Sequence, residues 1–130
     1  MDYSLAALKL FCCQLKDARQ ISSHPPSLTL NGIRFQRAWC QGVVVAGPDE
    51  GPFLIDDGSG VVELSLRSEL KTQEWKSGMY IMVVGLCIAG DPPQIQVHKM
   101  VDLSLYPDRE SLWHMEVIEA YNLFYTTVTE

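Results

Sequence analysis

The chain is short of positive charge. Ten lysines and arginines stand against 16 aspartates and glutamates, for a formal net charge of −6. A domain that holds nucleic acid by itself usually shows a basic surface. Here the overall field repels phosphates, so an autonomous nucleic-acid binder is disfavoured and protein partners gain weight. No run of about 18 uninterrupted apolar residues exists, so no segment reads as membrane-spanning. A secretory leader is not expected either: Asp2 stands where a basic region belongs, and Lys9 interrupts the apolar run. Cys12, Cys13, Cys40 and Cys87 include no CxxC pair and no matching Cys/His spacing, which argues against a zinc site. Buried reduced thiols, in a reducing compartment, are the reading. His24, His98 and His114 have no serine or cysteine pattern beside them that suggests catalysis. No metal and no cofactor is expected, and there is no repeat or low-complexity segment.

What is present is enough apolar material for a core. Hydrophobic residues make up 47% of 130 residues and charged ones 20%, which places the chain among folded domains rather than disordered ones. The length predicts a single domain over residues 1–130. Leu5, Leu8, Phe11, Cys12 and Leu15 recur at helical spacing and predict an amino-terminal helix over about 3–19, with Asp2 as its cap. His24-Pro25-Pro26 breaks the chain, and Asn31-Gly32 marks a turn.

From about Arg34 the pattern turns to strands, and a barrel is predicted over about 34–104. The first strand runs to Ala46, with Gly42 predicting a bend or bulge. Residues 46–52 form a loop, and Phe53-Leu54-Ile55 a short second strand. Val62, Leu64 and Leu66 alternate with polar residues in a third. Residues 68–77 read as a polar connector. Met79 to Ala89 is apolar on both faces, which predicts barrel core inside and a helix outside. Gln94 to Leu103 alternates again. After Pro107, residues 109–125 read as a second long helix. Five short strands between two helices predict an all-β fold, a closed five-stranded barrel flanked by an N-terminal and a C-terminal α-helix; closure also removes sheet edges.

Three stretches carry a resemblance: Trp39 to Val45, Ile55-Asp56-Asp57-Gly58-Ser59-Gly60-Val61-Val62, and Gly78-Met79-Tyr80-Ile81-Met82-Val83-Val84-Gly85. Together they resemble the OB-fold of the middle subunit of replication protein A. The last of these, with Val97-His98-Lys99-Met100-Val101-Asp102-Leu103-Ser104 and Glu110-Ser111-Leu112-Trp113-His114-Met115-Glu116-Val117, is similar to the RecQ-mediated genome instability protein 2 family. The likeness covers about residues 36–120. It implies a small OB-fold protein without catalysis that binds the C-terminal OB domain of RecQ-mediated genome instability protein 1. Through that partner it implies topoisomerase III and a Bloom-type RecQ helicase, dissolution of double Holliday junctions, and a nuclear location.

Several positions invite a functional reading. In the Asp56-Asp57-Gly58-Ser59-Gly60 turn, Gly58 and Gly60 are expected to supply positive φ, and Asp56 and Asp57 to accept backbone N–H bonds that close the hairpin. The same residues mimic the apolar-Asp-Thr-Gly approach of retroviral-type aspartic proteases, but Asp57 stands where a hydroxyl residue belongs, and a second carboxylate would disturb a shared-proton dyad. On the second helix, Trp113, Val117, Ile118, Tyr121, Phe124 and Tyr125 fill an arc of roughly 140°, wider than one docking stripe requires. Glu116 and Glu119 are expected to face away. The arc predicts a partner-binding face; docking on the barrel alone is the other reading. Lys99 follows Ile95 and Val97 on the inward parity of its strand. Either the strand bulges so that the ammonium reaches water, or Lys99, beside Met100, makes a charge-assisted bond to a partner. Arg34, Arg37, Trp39, Arg67, Lys71 and Lys76 could begin a groove for single-stranded DNA, but they are scattered among carboxylates.

Overall fold

The computed structural model describes residues 7–21, 27–72 and 74–125. Its centre is a closed barrel of five strands: β5 (Arg37–Ala46), β6 (Phe53–Asp56), β7 (Val61–Leu66), β8 (Tyr80–Ile88) and β9 (Gln94–Asp102). They follow the order β5-β6-β7-β9-β8, and β8 closes back on β5. This is the OB-fold. The β7–β9 pairing is parallel and the other four are antiparallel. Alternation places Ala38, Cys40, Val44, Phe53, Ile55, Val62, Leu64, Ile81, Val83, Ile95 and Val97 inside, all but fully buried.

Strand β5 serves both halves of the barrel. Residues 37–43 pair with β8, while Val43, Val44 and Ala46 pair with β6 across a bulge at Val45. Gly42 sits where β6 crosses closely: a Cβ there would lie 3.0 Å from the Asp56 carbonyl oxygen. The connector over 67–79 is less polar in effect than its sequence. It makes a 3-10 turn at Ser68–Thr72 and buries Trp75, whose Nε1 donates to the Leu70 carbonyl at 3.0 Å.

The amino-terminal region departs from the expected helix over 3–19. Ala7–Lys9 is a strand, β1, parallel to Arg37–Trp39 of β5. Leu10 N continues the pairing with a bond to the Trp39 carbonyl at 3.1 Å. Among the described residues of that stretch, Cys12–Asp17 alone is helical (α1). The apolar spacing fits both outcomes: Leu8 and Leu10 alternate with Lys9 and Phe11, and the open edge of β5 satisfies the backbone better than another helical turn. The cap expected at Asp2, with Leu5, lies outside the described residues, as does the His24-Pro25-Pro26 break. A second sheet was not expected. It comprises β2 (Arg19–Ile21), β3 (Ser27–Leu30) and β4 (Ile33–Phe35). Asn31 and Gly32, at φ 52° and 80°, form the two-residue turn between β3 and β4.

The Asp56–Gly60 turn joins β6 to β7 and also anchors α1. Asp56 Oδ1 accepts from Gly58 N at 2.7 Å, and Asp57 Oδ1 from Ser59 N at 2.9 Å and Ser59 Oγ at 2.6 Å. Asp57 Oδ2 accepts from Cys12 N at 2.8 Å, and Ser59 Oγ from Cys13 N at 3.1 Å. The turn therefore supplies, from 45 positions away, acceptors for two orphan amides at the start of α1. Gly58 has the left-handed φ of 90°, but Gly60 does not, and a Cβ at Gly60 would meet only ordinary contacts, the nearest 3.5 Å away. The sequence expectation for Gly60 is corrected accordingly. Replacing Asp57 with Ala strands the buried Cys12 amide, at about 1–3 kcal/mol. We expect Asp57→Ala to lower the melting temperature clearly and Ser59→Ala to do so less, by thermal denaturation followed by circular dichroism.

Burial lifts the Cys87 thiol to about 12. It also pushes Cys12 and Cys40 well up, with the Asp57 carboxylate adding to the effect at Cys12. These thiols stay neutral at physiological pH.

Candidate interaction site on the carboxy-terminal helix

Pro107 and Asp108 lead into α2 (Arg109–Ala120), and Leu112 N bonds the Asp108 carbonyl at 3.1 Å to start the ladder. Residues Tyr121–Tyr125 continue as a π-helical turn. The helix lies on the outer wall of the barrel, against β1 and β5. Trp113 and Val117, one turn apart, have no exposed surface. Trp113 meets Trp39 of β5 with ring centroids 6.2 Å apart, and Phe11 meets His114 at 5.1 Å. Lys9 Nζ of β1 lies 5.2 Å from the Trp39 ring centroid and pairs with Glu116 at 2.8 Å. Arg109 adds a longer contact to Glu116 at 3.7 Å. Tyr80 Oη donates to Gln41 Oε1 at 2.9 Å in the same seam. Burial, then the nearby Glu110, pushes the Tyr80 phenol upward, so it stays protonated as that donor. Among the described residues, Trp39 Nε1, Gln41 Nε2 and Trp113 Nε1 are buried without a hydrogen-bond partner. Packing and the Lys9–Glu116 pair therefore hold the seam.

The opposite side of α2 is apolar and uncovered. Leu112 is 44% exposed, Met115 66%, Ile118 52%, and Leu123 in the π-turn 63%. At 100° per residue the first three span about 120°, and Ser111 and Glu119 fall among them. The helix thus has two apolar faces, one spent on its own barrel and one open.

This arrangement redistributes the residues that the sequence singles out. Trp113 and Val117 belong to the inner seam and have no surface to offer a partner. Ile118 is on the open face. Tyr121 is half-buried and packs against the chain's own core. The side chain of Phe124 lies outside the described residues. Glu116 does not face away but is paired in the seam. Met100 points into the barrel and is 8% exposed. Lys99 is exposed on the outer wall: β9 bulges at His98, so that Val84 faces Lys99 while Gly85 faces Val97, and the parity reverses there. Leu112, Met115 and Leu123 were missed. Their signal was the three-residue spacing of Leu112, Met115 and Ile118, masked by the bulkier aromatic arc.

The geometry defines an OB barrel that carries an outer helix with a free apolar face. Solved structures share this fold: the S. pombe Stn1–Ten1 complex at a TM-score of 0.75 and 14% identity, covering 88% of this chain and 90% of that one. A replication protein A heterotrimer bound to single-stranded DNA aligns at 0.71 and 16%, covering 90% and 96%. Residues 6–121 match the family described as RecQ-mediated genome instability protein 2, and the chain belongs to that family. The mouse protein of that name is 33% identical over 125 residues, covering 87% of this chain and 80% of the relative. The cattle protein is 33% identical over 99 residues, covering 72% and 61%.

Proposed function

We propose that the chain is a non-catalytic OB-fold subunit of a genome-maintenance assembly, which docks a second OB-fold subunit through the open face of α2. The observation that carries this reading is the row of exposed apolar side chains, Leu112, Met115, Ile118 and Leu123, on a helix already anchored by its other face. A cluster of large exposed apolar side chains on one helix face is the kind of surface that marks protein interfaces. The family membership supports the finer reading: the partner is the C-terminal OB domain of RecQ-mediated genome instability protein 1. Through it the chain joins topoisomerase III and a Bloom-type RecQ helicase in dissolving double Holliday junctions in the nucleus. Lys99, exposed on the outer wall of β9, adds a polar contact. Two of the structural relatives are themselves members of multi-subunit assemblies by title.

The test is co-purification of the chain with that OB domain. Met115→Glu and Ile118→Glu each place a charge in the interface and should weaken binding by more than about tenfold. The double variant should lose co-purification while its circular dichroism and melting curve stay unchanged. Full affinity in the double variant would refute docking through this face.

A further inference from the structure

The barrel has a second open surface, on the side away from α2. OB barrels commonly bind oligonucleotides on the face of their second and third strands, between the loop after the first strand and the loop before the last. In this chain those parts are β6, β7, residues 47–52 and residues 89–93. The row Ala46–Leu54–Glu63–Gln94 crosses the face, with residues 47–52 beyond one end of it and residues 89–93, whose Pro93 carbonyl accepts from Glu63 N at 2.9 Å, beyond the other. Nucleic-acid faces need cations and exposed aromatic rings. Residues 47–56, 61–66 and 89–94 contain neither lysine nor arginine, and their one aromatic residue, Phe53, is buried. They carry Asp49, Glu50, Asp56, Glu63 and Asp91 instead. Among the described residues, the ion pairs include none to Asp49, Asp56 or Glu63, while Asp91 has a long, exposed contact to Lys16 at 3.7 Å. Arg67, just past β7, is engaged by Glu69 at 3.7 Å and the His98 carbonyl at 3.4 Å. Between the carboxylates lie apolar side chains: Val45, 46% exposed at its bulge, and the partly buried Val43, Leu54 and Val61.

We propose that this face holds an extended basic peptide, with lysines or arginines separated by apolar residues, in place of single-stranded nucleic acid. Alternation suits an extended segment, whose side chains project to opposite sides at every second position. Cations meet Asp49 and Glu63, and the intervening apolar groups cover Val45 and Leu54. The surface is separate from the open face of α2, so the inference stands or falls independently of docking there.

The experiment titrates the full chain against a fluorescent peptide of about eight residues alternating lysine and valine, long enough at ~3.3 Å per residue to cross the face. A glutamate–valine peptide and an oligothymidylate serve as competitors for comparison. The expected result is binding of the lysine peptide alone, weakened as salt rises. Amide shifts in the ¹⁵N-labelled chain should fall on β6, β7 and Val43–Ala46. Asp49→Lys/Glu63→Lys should weaken binding at least about tenfold, and the neutral Asp49→Asn/Glu63→Gln in the same direction. Asp17→Lys/Glu74→Lys, with the same change in net charge elsewhere, should stay within about twofold of wild type. Equal loss in both reversed pairs, shifts centred on α2, tighter binding of the oligothymidylate, or no binding of the lysine peptide would each overturn the proposal.

Discussion

Trp113→Ala should destabilise the isolated domain by roughly 3 kcal/mol, and the loss should appear before any partner is present. Truncating a fully buried tryptophan costs about 3–5 kcal/mol in lost transfer and cavity terms. The lower end applies because the Trp113 N–H has no acceptor, so its removal returns part of a desolvation cost of about 1–3 kcal/mol. Against a total stability of about 5–15 kcal/mol this is a large share, and it corresponds to a fall in melting temperature on the order of 10 °C. Trp113→Phe separates the two contributions. It keeps a ring against Trp39 and discards the orphan donor, so it should melt close to wild type and still bind the partner through the open face. A Trp113→Ala chain that melts like wild type but fails to bind would restore Trp113 as an interface anchor and overturn the two-faced description of α2.

Gly85→Ala should prevent the barrel from closing. At Gly85 strands β8 and β9 cross so closely that an added Cβ would fall on the Gln96 carbonyl oxygen and within 2.8 Å of Ile95 Cγ2. The first obstacle is backbone, which cannot rotate aside, so the strands must separate at the bulge. Ordinary overpacking costs about 1–3 kcal/mol, and this substitution should exceed it. The expected outcome is loss of near-ultraviolet circular dichroism or insoluble expression. Gly60→Ala is the control, because its Cβ has ordinary room. A Gly85→Ala chain with a wild-type melting curve would mean that the crossing yields easily.

The barrel was legible in the sequence because its strands alternate with period two and its turns carry glycine, aspartate and proline. What failed to show depends on which surfaces meet. Leu8 and Leu10 fit a helix face and a strand face equally, and only the open edge of β5 decides between them. Lys99 follows the inward parity until a bulge at His98 reverses it, and no residue type announces that bulge. The helix over 109–120 was evident, but it is apolar on two sides. Aromatic bulk suggested that Trp113 faced a partner, whereas bulk is also what fills the gap over Trp39. The Asp57 turn was read as closing one hairpin. The bonds that Asp57 and Ser59 accept from Cys12 N and Cys13 N show it holding a distant helix as well.

The ion pair between Lys9 and Glu116 spans 107 positions, and it imposes an order on how the molecule is made. A chain emerging from the ribosome presents β1 and α1 before their partners: β5, then the Asp57 turn, and last the seam with α2. Leu8, Leu10 and Leu15, all buried in the finished core, stay uncovered while roughly the next forty residues or more are synthesised. Contacts that join distant positions also form slowly. The Lys9–Glu116 seam therefore closes only after translation has passed the helix.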